Sequence, residues 1–416
     1  MSDTAQPSVA VIGAGIVGIC TAAFLQREGY RVTLVDAEDP GTMTSFGNAG
    51  AISAHSVTPM ALPGIWKRVP RWLLDPLGPL AVRIGYAPKA APWLMKFMSA
   101  AKNFEKQAEA LADLHRPVRE AYLELTAEAG ANDLLKQTGV LSVYETTEGF
   151  NGDAIVRELS RKHGHRVEEL GSDELRQLEP SLSPSFKHAT FFPDGTHCTN
   201  PGELCQRLAA MVLSKGGAHL KARVARFETG GEGAEALITD QGERHAFDFF
   251  AVTAGAWSHQ LSGDLGDAFP LESERGYHMV LPNPGIRTSR PISFGERKFM
   301  CTTMESGLRL AGTVEFAGLN AAPNWGRADK LLTHAKEIFR DVDTSGAVPW
   351  MGNRPATPDS LPVISRSRRH KNVVYGFGHG HLGLTGGAIT GKHLTALVAG
   401  RQPEIDLSPF SIGRYR

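Results

Sequence analysis

Gly13, Gly15 and Gly18 stand in G-x-G-x-x-G spacing within "VAVIGAGIVG", and Asp36 follows 18 residues after the third glycine. The first glycine permits a tight turn, the second lets a pyrophosphate approach the backbone, and the third lets a helix pack close to a strand. The acid at 36 is placed to accept hydrogen bonds from a ribose diol. An adenine dinucleotide is the ligand that uses all four. A second glycine-rich run, "GHGHLGLTGG", occupies residues 378–387. A glycine turn that opens a helix is a place where negative charge gathers, because it presents unpaired N–H groups and the positive end of the helix dipole. The backbone at Gly383, Leu384, Thr385 and Gly386 is expected to meet that charge. His379 and His381 have a spacing that suits a metal, yet no carboxylate or third ligand accompanies them. No metal is expected.

The elements that must position these groups are legible in outline. "SVAVIGAG" reads as a strand ending in glycines, Ile16 to Glu28 as a helix stopped by Gly29, and "YRVTLVD" as a second strand closing on Asp36. Together they form a βαβ unit. "PGELCQRLAAMVLSKGG" has the proline start and glycine stop of a helix, followed by "AHLKARVARFE" as a strand. "FDFFAVTAGAWS" and "NVVYGFG" read as buried strands, the second leading into the helix beyond Thr385. Residues 56–190 look largely helical with proline breaks, and residues 259–350 carry the alternation and turn signals of antiparallel strands. The chain has 416 residues, room for two domains. Lys+Arg and Asp+Glu both number 44, so no overall field favours nucleic acid. The four cysteines are scattered, against a disulfide framework or a structural zinc site. No stretch reads as a membrane span or a signal peptide, so a cytoplasmic location is expected.

The βαβ unit alone does not separate NAD from FAD. The loop after Asp36 does: "TSFGNAGAIS" (44–53) resembles the loop that runs beside the flavin in the D-amino-acid oxidase/dehydrogenase superfamily of FAD-dependent oxidoreductases. Further stretches are similar to that family across the whole chain: "DPLGPLAVRIGYAPKAAPWLMKF", "FPDGTHCTNPGEL", "VTAGAWS", "RGYHMVL", "LRLAGTVEFAG" and "GNRPATPDSLPVIS". The subgroup it most resembles is the bacterial D-amino-acid dehydrogenase small subunits. The resemblance implies a mixed α/β fold: a Rossmann-type FAD-binding domain and an interleaved substrate domain built on an antiparallel sheet plus helices. The implied division gives residues 1–55, 191–258 and 351–416 to FAD, and 56–190 and 259–350 to substrate. FAD is expected on Gly13, Gly15, Ile16, Val17, Gly18, Asp36 and Ala37, and along the loop at Ser45, Asn48, Ala49, Gly50 and Ile52. Val224 is expected beside the adenine, and Ala254 and Gly255 near the cofactor. Gly380, Gly383, Leu384 and Thr385 would meet the N1–C2=O edge of the ring, where charge gathers on reduction. With no attachment context around Cys301, the FAD is expected to be non-covalent.

Amine oxidation by a flavin asks the protein for orientation rather than covalent help. An α-carboxylate calls for the arginine fork. Arg354 in "GNRPATPD" matches the family arginine that grips it; the plainer alternative is a turn arginine paired with Asp359. Tyr277 matches a tyrosine position of the dehydrogenases and would add a hydrogen bond, and Arg275 is the next candidate for the carboxylate. His278 departs from that subgroup and either faces substrate or sits on the strand's other side. His55, His379 and His381 are candidates for a neutral imidazole near the amine, or for structural hydrogen bonding. The implied activity is oxidation of a D-amino acid, among them cyclic ones such as D-proline or hydroxy-D-proline, to the imino acid, with electrons passed to a quinone-type acceptor. Alternatives are an oxidase of the glycine/sarcosine type using O₂, or a flavin-binding subunit of a larger electron-transfer complex. Residues 59–101 mix Trp66, Trp72, Leu73, Leu74, Trp93, Leu94, Phe97 and Met98 with Lys67, Arg68, Arg71, Arg83 and Lys96. That mixture suits either a peripheral anchor at the inner face of the membrane or helices capping the substrate cavity.

Overall fold

The computed structural model describes residues 6–64, 78, 80–231 and 233–415. Trp66, Lys67, Arg68, Arg71, Trp72, Leu73 and Leu74, seven of the thirteen residues of the anchor expectation, lie outside the described residues. The architecture is mixed α/β and rests on two large sheets. The first runs in the order Ala218–Lys221, Arg31–Asp36, Ser8–Ile12, Phe249–Val252, Val373–Phe377, Val363–Arg366. Its first five strands are parallel and the last is antiparallel. Runs such as "VAVI" need cover on both faces. Val9 and Val11 pack under helices Ile16–Arg27, Pro201–Ser214 and Gly383–Val398, while Ala10 and Ile12 face Phe227, Leu237 and Phe250.

Helix Ile16–Arg27 is buried along most of its length, sandwiched between the sheet and helix Gly383–Val398. Small residues allow that approach: a Cβ on Gly391 would lie 2.8 Å from the backbone of Cys20. The two glycine turns therefore open helices that lie against each other. Helix Pro201–Ser214 starts where its proline predicts, with the Asn200 side chain accepting from the Glu203 N–H at 3.1 Å. One expected strand is divided. "AHLKARVARFE" gives Ala218–Lys221 to the parallel sheet, and Val224–Thr229 to a separate three-stranded antiparallel sheet.

The second sheet has nine strands. Val348–Ala356, Glu272–Leu281, Gly307–Phe316, Phe299–Met304 and Ile292–Phe294 form an antiparallel run. Val140–Tyr144 then joins in parallel, followed by His188–Phe192 and Glu168–Gly171, with Leu80–Val82 beside Gly307–Phe316. Residues 56–190 are thus not simply helical. "VLSVY" does not alternate, yet it sits between two paired strands of this sheet, because its neighbours supply the pairing that the local pattern does not show. One face of the sheet is covered by helix Gly326–Ile338, against Tyr277, Met279, Leu281, Leu308 and Leu310. The other face is left for the site. Strand Val348–Ala356 lies wholly in this sheet, so a division at residue 350 falls inside it.

Candidate active site

A cavity of about 1370 Å³ is lined from both large sheets, with Asp36, Thr385, Arg354 and Trp93 among its lining residues. At the first sheet, Gly13 has a φ of +106°, and a Cβ there would stand 2.5 Å from the Thr253 carbonyl oxygen. A Cβ on Gly18 would fall 1.8 Å from the Gly13 carbonyl oxygen, so the helix start rests directly on the strand end. Gly15 faces open space apart from Ser45 Oγ, 3.2 Å from where its Cβ would be. Ser45 Oγ accepts from the Ile16 N–H at 3.0 Å. Asp36 accepts from the Ala14 N–H at 2.7 Å and the Glu38 N–H at 3.0 Å, which holds its carboxylate at the strand tip.

The second glycine turn forms a short 3₁₀ turn, Gly380–Leu382, and then helix Gly383–Val398, with no side-chain N-cap among the described residues. Thr385 Oγ1 accepts from the Ser53 N–H at 3.2 Å and donates to the Ala51 carbonyl at 3.3 Å. That ties the helix start to the loop after Asp36. The Tyr122 hydroxyl, from helix Val118–Glu128, donates to the Leu384 carbonyl.

Of the residues expected around the cofactor, Gly13, Gly15, Ile16, Val17, Asp36, Ala37, Ser45, Asn48, Ala49, Val224, Ala254, Gly255, Gly380, Gly383, Leu384 and Thr385 line this cavity. Four do not. Gly18 packs behind the turn, Gly50 (φ +84°) lies against the Cys198 carbonyl, Ile52 is buried in the core, and Gly386 lies against the His379 ring. The residues fit FAD on their own chemistry. A bare glycine turn opens toward the cavity, a carboxylate sits at the second strand's tip, and a second uncapped helix start shares the same space.

The substrate-side geometry departs further from expectation. Strand Glu272–Leu281 alternates, so Glu274, Gly276 and His278 point to the cavity side of the sheet and Arg275 and Tyr277 to the other. Arg275 is fully buried, donating to the carbonyls of Gly318 (2.9 Å), Ala322 (3.2 Å), Leu319 (3.4 Å) and Ala321, with Glu315 3.7 Å away. It has no fork left for a substrate. Tyr277 is among the residues that line the cavity, but its hydroxyl donates to Glu315 at 2.6 Å and accepts from the Asn324 N–H at 2.9 Å and is already committed there. His278 stacks on Trp350 with centroids 4.8 Å apart, with Nδ1 3.2 Å from the Gly47 carbonyl oxygen, and it does not line the cavity.

Arg354 lines the cavity and is not paired with Asp359, which instead binds Arg414 at 2.7 Å. Its Nη1 donates to Glu274 Oε1 at 3.0 Å and to the Thr313 carbonyl at 3.1 Å. The guanidinium lies across Gly276, where a Cβ would come within 2.1 Å of Cζ. Thr313 has a φ of +59° at a bulge, a strained conformation for a β-branched residue that turns its carbonyl toward the arginine. His381, exposed, meets the same Glu274 Oε1 through Nε2. Burial pushes the Glu274 carboxyl up, but His381 and Arg354 outweigh it and hold it down at about 2. The structure therefore joins Arg354 and His381 through Glu274. Sequence reading missed Glu274 and Thr313, and the signal for Gly276 was a glycine inside a strand, which marks a close approach.

The other histidines go elsewhere. His55 stacks on Phe192 with centroids 4.0 Å apart and stands outside the cavity lining. Burial first, then the neighbouring His165 and His115, lowers it to about 3. His379 borders the cavity, but its Nε2 is 2.8 Å from Thr390 Oγ1 within the helix, and burial brings it to about 3. Both are neutral structural rings. Trp93, Leu94, Phe97 and Met98 of helix Ala87–Ala100 line the cavity. Trp93 packs on Phe97 and Phe316 and donates to the Ala356 carbonyl at 3.2 Å, so these residues cap the cavity. Among the described residues no helix is long and apolar enough to cross a membrane, and no cluster of three or more His, Cys, Asp or Glu is set to hold a metal.

Comparison with known proteins bears on the family and the cofactor. The model of the DAO family, described as FAD dependent oxidoreductase, matches residues 8–397. A D-amino-acid oxidase of Bradyrhizobium diazoefficiens is 43% identical over 416 residues, 98% of each chain. A D-amino acid dehydrogenase of Granulibacter bethesdensis is 28% identical over 418 residues, 98% of this chain and 99% of the relative. Among solved structures, glycine oxidase from Geobacillus kaustophilus superposes with a TM-score of 0.75 at 20% identity, covering 99% of both chains. L-proline dehydrogenase from P. horikoshii gives 0.74 at 17% identity, covering 99% of this chain and 98% of that one. These two share the fold. FAD is the cofactor that both the cavity and the family specify, and with nearly the whole chain matched the protein belongs to the DAO family of FAD-dependent oxidoreductases.

Proposed function

We propose that the protein oxidises a D-amino acid to the imino acid, which then hydrolyses. The carrying observation is Arg354: a guanidinium in the cavity, anchored at one corner by Glu274 and the Thr313 carbonyl, with its Nε–Nη2 edge unpaired among the described residues. That edge is the fork a carboxylate takes bidentately. FAD, when bound, supplies the two-electron acceptance from the Cα–H. The chain's part is to hold the carboxylate on Arg354 and to receive the side chain against Trp93, Leu94, Phe97 and Phe316, an apolar wall that also suits a cyclic substrate such as D-proline or hydroxy-D-proline. The D-configuration is supported by two relatives, the D-amino-acid oxidase and the D-amino acid dehydrogenase. By the same reading residues 1–55, 191–258 and 357–416 serve FAD and 56–190 and 259–356 serve substrate, with the last boundary moved to the end of strand Val348–Ala356.

Electrons pass to a quinone-type acceptor in this reading. Direct return to O₂ is a second reading, favoured by the oxidase activity of the 43% identical relative. The test is anaerobic. Yellow purified protein, mixed with a panel of D- and L-amino acids, should bleach with D-substrates, cyclic ones included. Bleaching confined to L-enantiomers, or none by the chain alone, overturns the proposal. Reoxidation rates with O₂ and with a soluble quinone then decide the acceptor.

A further inference from the structure

Glu274 is an unusual neighbour for an arginine that is to bind a carboxylate. An anion beside it repels the ligand unless the ligand brings a cation of its own. The carboxylate is only 6% exposed yet lines the cavity. Its Oε1 takes both protein contacts, Arg354 Nη1 at 3.0 Å and His381 Nε2. Its Oε2 makes no hydrogen bond among the described residues. Glu274 lines the cavity, so a ligand's donor can reach that oxygen there. Arg354 shows the complementary pattern, with one corner spent on Glu274 and Thr313 and the other edge open. The two open edges belong to side chains already in contact. A ligand whose carboxylate and ammonium share one carbon carries the two complementary charges side by side.

We propose that Glu274 is the substrate-binding group that recognises the α-ammonium, with His381 fixing its orientation, so that Arg354 and Glu274 together select zwitterions over simple carboxylates. This rests on the reading of Arg354 as the carboxylate site. The carboxyl, held at about 2 by His381 and Arg354 against the upward push of burial, stays ionised at neutral pH and can meet an ammonium there.

The test uses FAD-saturated protein and two ligands of nearly equal shape. In 2-methylalanine an ammonium stands where pivalate has a methyl group, and neither has an α-hydrogen to lose. Calorimetric titration of the wild type should show 2-methylalanine bound about 10- to 100-fold more tightly than pivalate, the range of a hydrogen bond to a charged group. Glu274→Gln should collapse that ratio toward one, with pivalate bound as well as before or better. Glu274→Asp, which keeps the charge, should retain the preference. A Glu274→Gln protein that loses both ligands equally makes Glu274 only a prop for Arg354 and overturns the assignment; so does an unchanged ratio. The wild-type ratio decides alone if Glu274→Gln does not fold, since pivalate bound as tightly as 2-methylalanine also overturns it. Arg354→Ala separates the two readings. If it still binds both ligands, the carboxylate site is wrong and this inference falls with it. If it loses both while Glu274→Gln keeps the ratio, this inference alone fails.

Discussion

Arg354 is held at one corner and open along one edge, which is the state a substrate-binding arginine needs before substrate arrives. Cutting a charge-assisted bidentate contact on one side typically costs about 2–5 kcal/mol, or roughly 30- to several-thousand-fold in kcat/KM. Arg354→Ala should lose that much and still purify yellow, because the cofactor turn is built from other elements. Arg354→Lys should be impaired too, since a point charge cannot reproduce the fork. Near-normal kcat/KM in the alanine variant would reduce Arg354 to a structural residue. Gly276→Ala is the sharper probe, because it keeps the arginine side chain and changes only the bed it lies on. The added methyl would stand 2.1 Å from Cζ and must push the guanidinium aside. Displacements of this size cost about 10²-fold when they misplace a positioning group. The expected result is a loss of that order in kcat/KM with unchanged FAD content. Unchanged kcat/KM would show that the arginine does not use this surface.

At the scale of elements, the determining feature is how closely helix Ile16–Arg27 sits on the strand end. Gly18 has no room for a side chain, with the Gly13 carbonyl 1.8 Å from an added Cβ and Thr253 Oγ1 at 2.7 Å. Gly18→Ala must lift the helix start, and overpacking of this kind costs about 1–3 kcal/mol. The helix N-terminus moves with it, so weakened FAD retention should accompany the stability loss. Fluorescence of FAD released on dilution checks the first and thermal unfolding the second. A variant equally stable and equally yellow would mean that the backbone absorbs the methyl without cost. The same closeness explains why the third glycine mattered although it does not line the cavity.

At the scale of the whole molecule, a set of buried neutral histidines sets the response to acid. Burial is the leading cause in each case: His55, His278 and His379 are lowered to about 3, and His115 to about 4. In the unfolded chain each takes a proton near pH 6.5. Between that value and the lowered one the unfolded state binds more protons, so stability is complete above about pH 6.5 and drains away as pH falls toward 4. Each ring contributes at most about 1.4 kcal/mol per pH unit in this window. The Tm of FAD-saturated protein should hold from pH 8 to 7 and then drop steeply toward pH 5. A flat Tm down to pH 5 would mean that these rings are already protonated in the folded state.

What the sequence determined by itself was the cofactor half. The glycine spacing, the helix between two strands and Asp36 fall within some thirty residues, and local chain geometry is enough to assemble them. The second glycine turn was legible for the same reason, as a strand, turn and helix in direct succession. The substrate half was decided only by tertiary structure. Arg354 and Glu274 are 80 residues apart, and Glu274 and His381 are 107 apart. They meet because strands Glu272–Leu281 and Val348–Ala356 pair in a register that sets Glu274 opposite Arg354. In "LESERGYH" three charged residues and a tyrosine look alike as candidates. The one-residue alternation of the strand sends Glu274 to the cavity, and Arg275 and Tyr277 to the far side of the sheet. That register depends on pairing with distant strands and a bulge at Thr313, and neither leaves a mark in the local pattern of side chains.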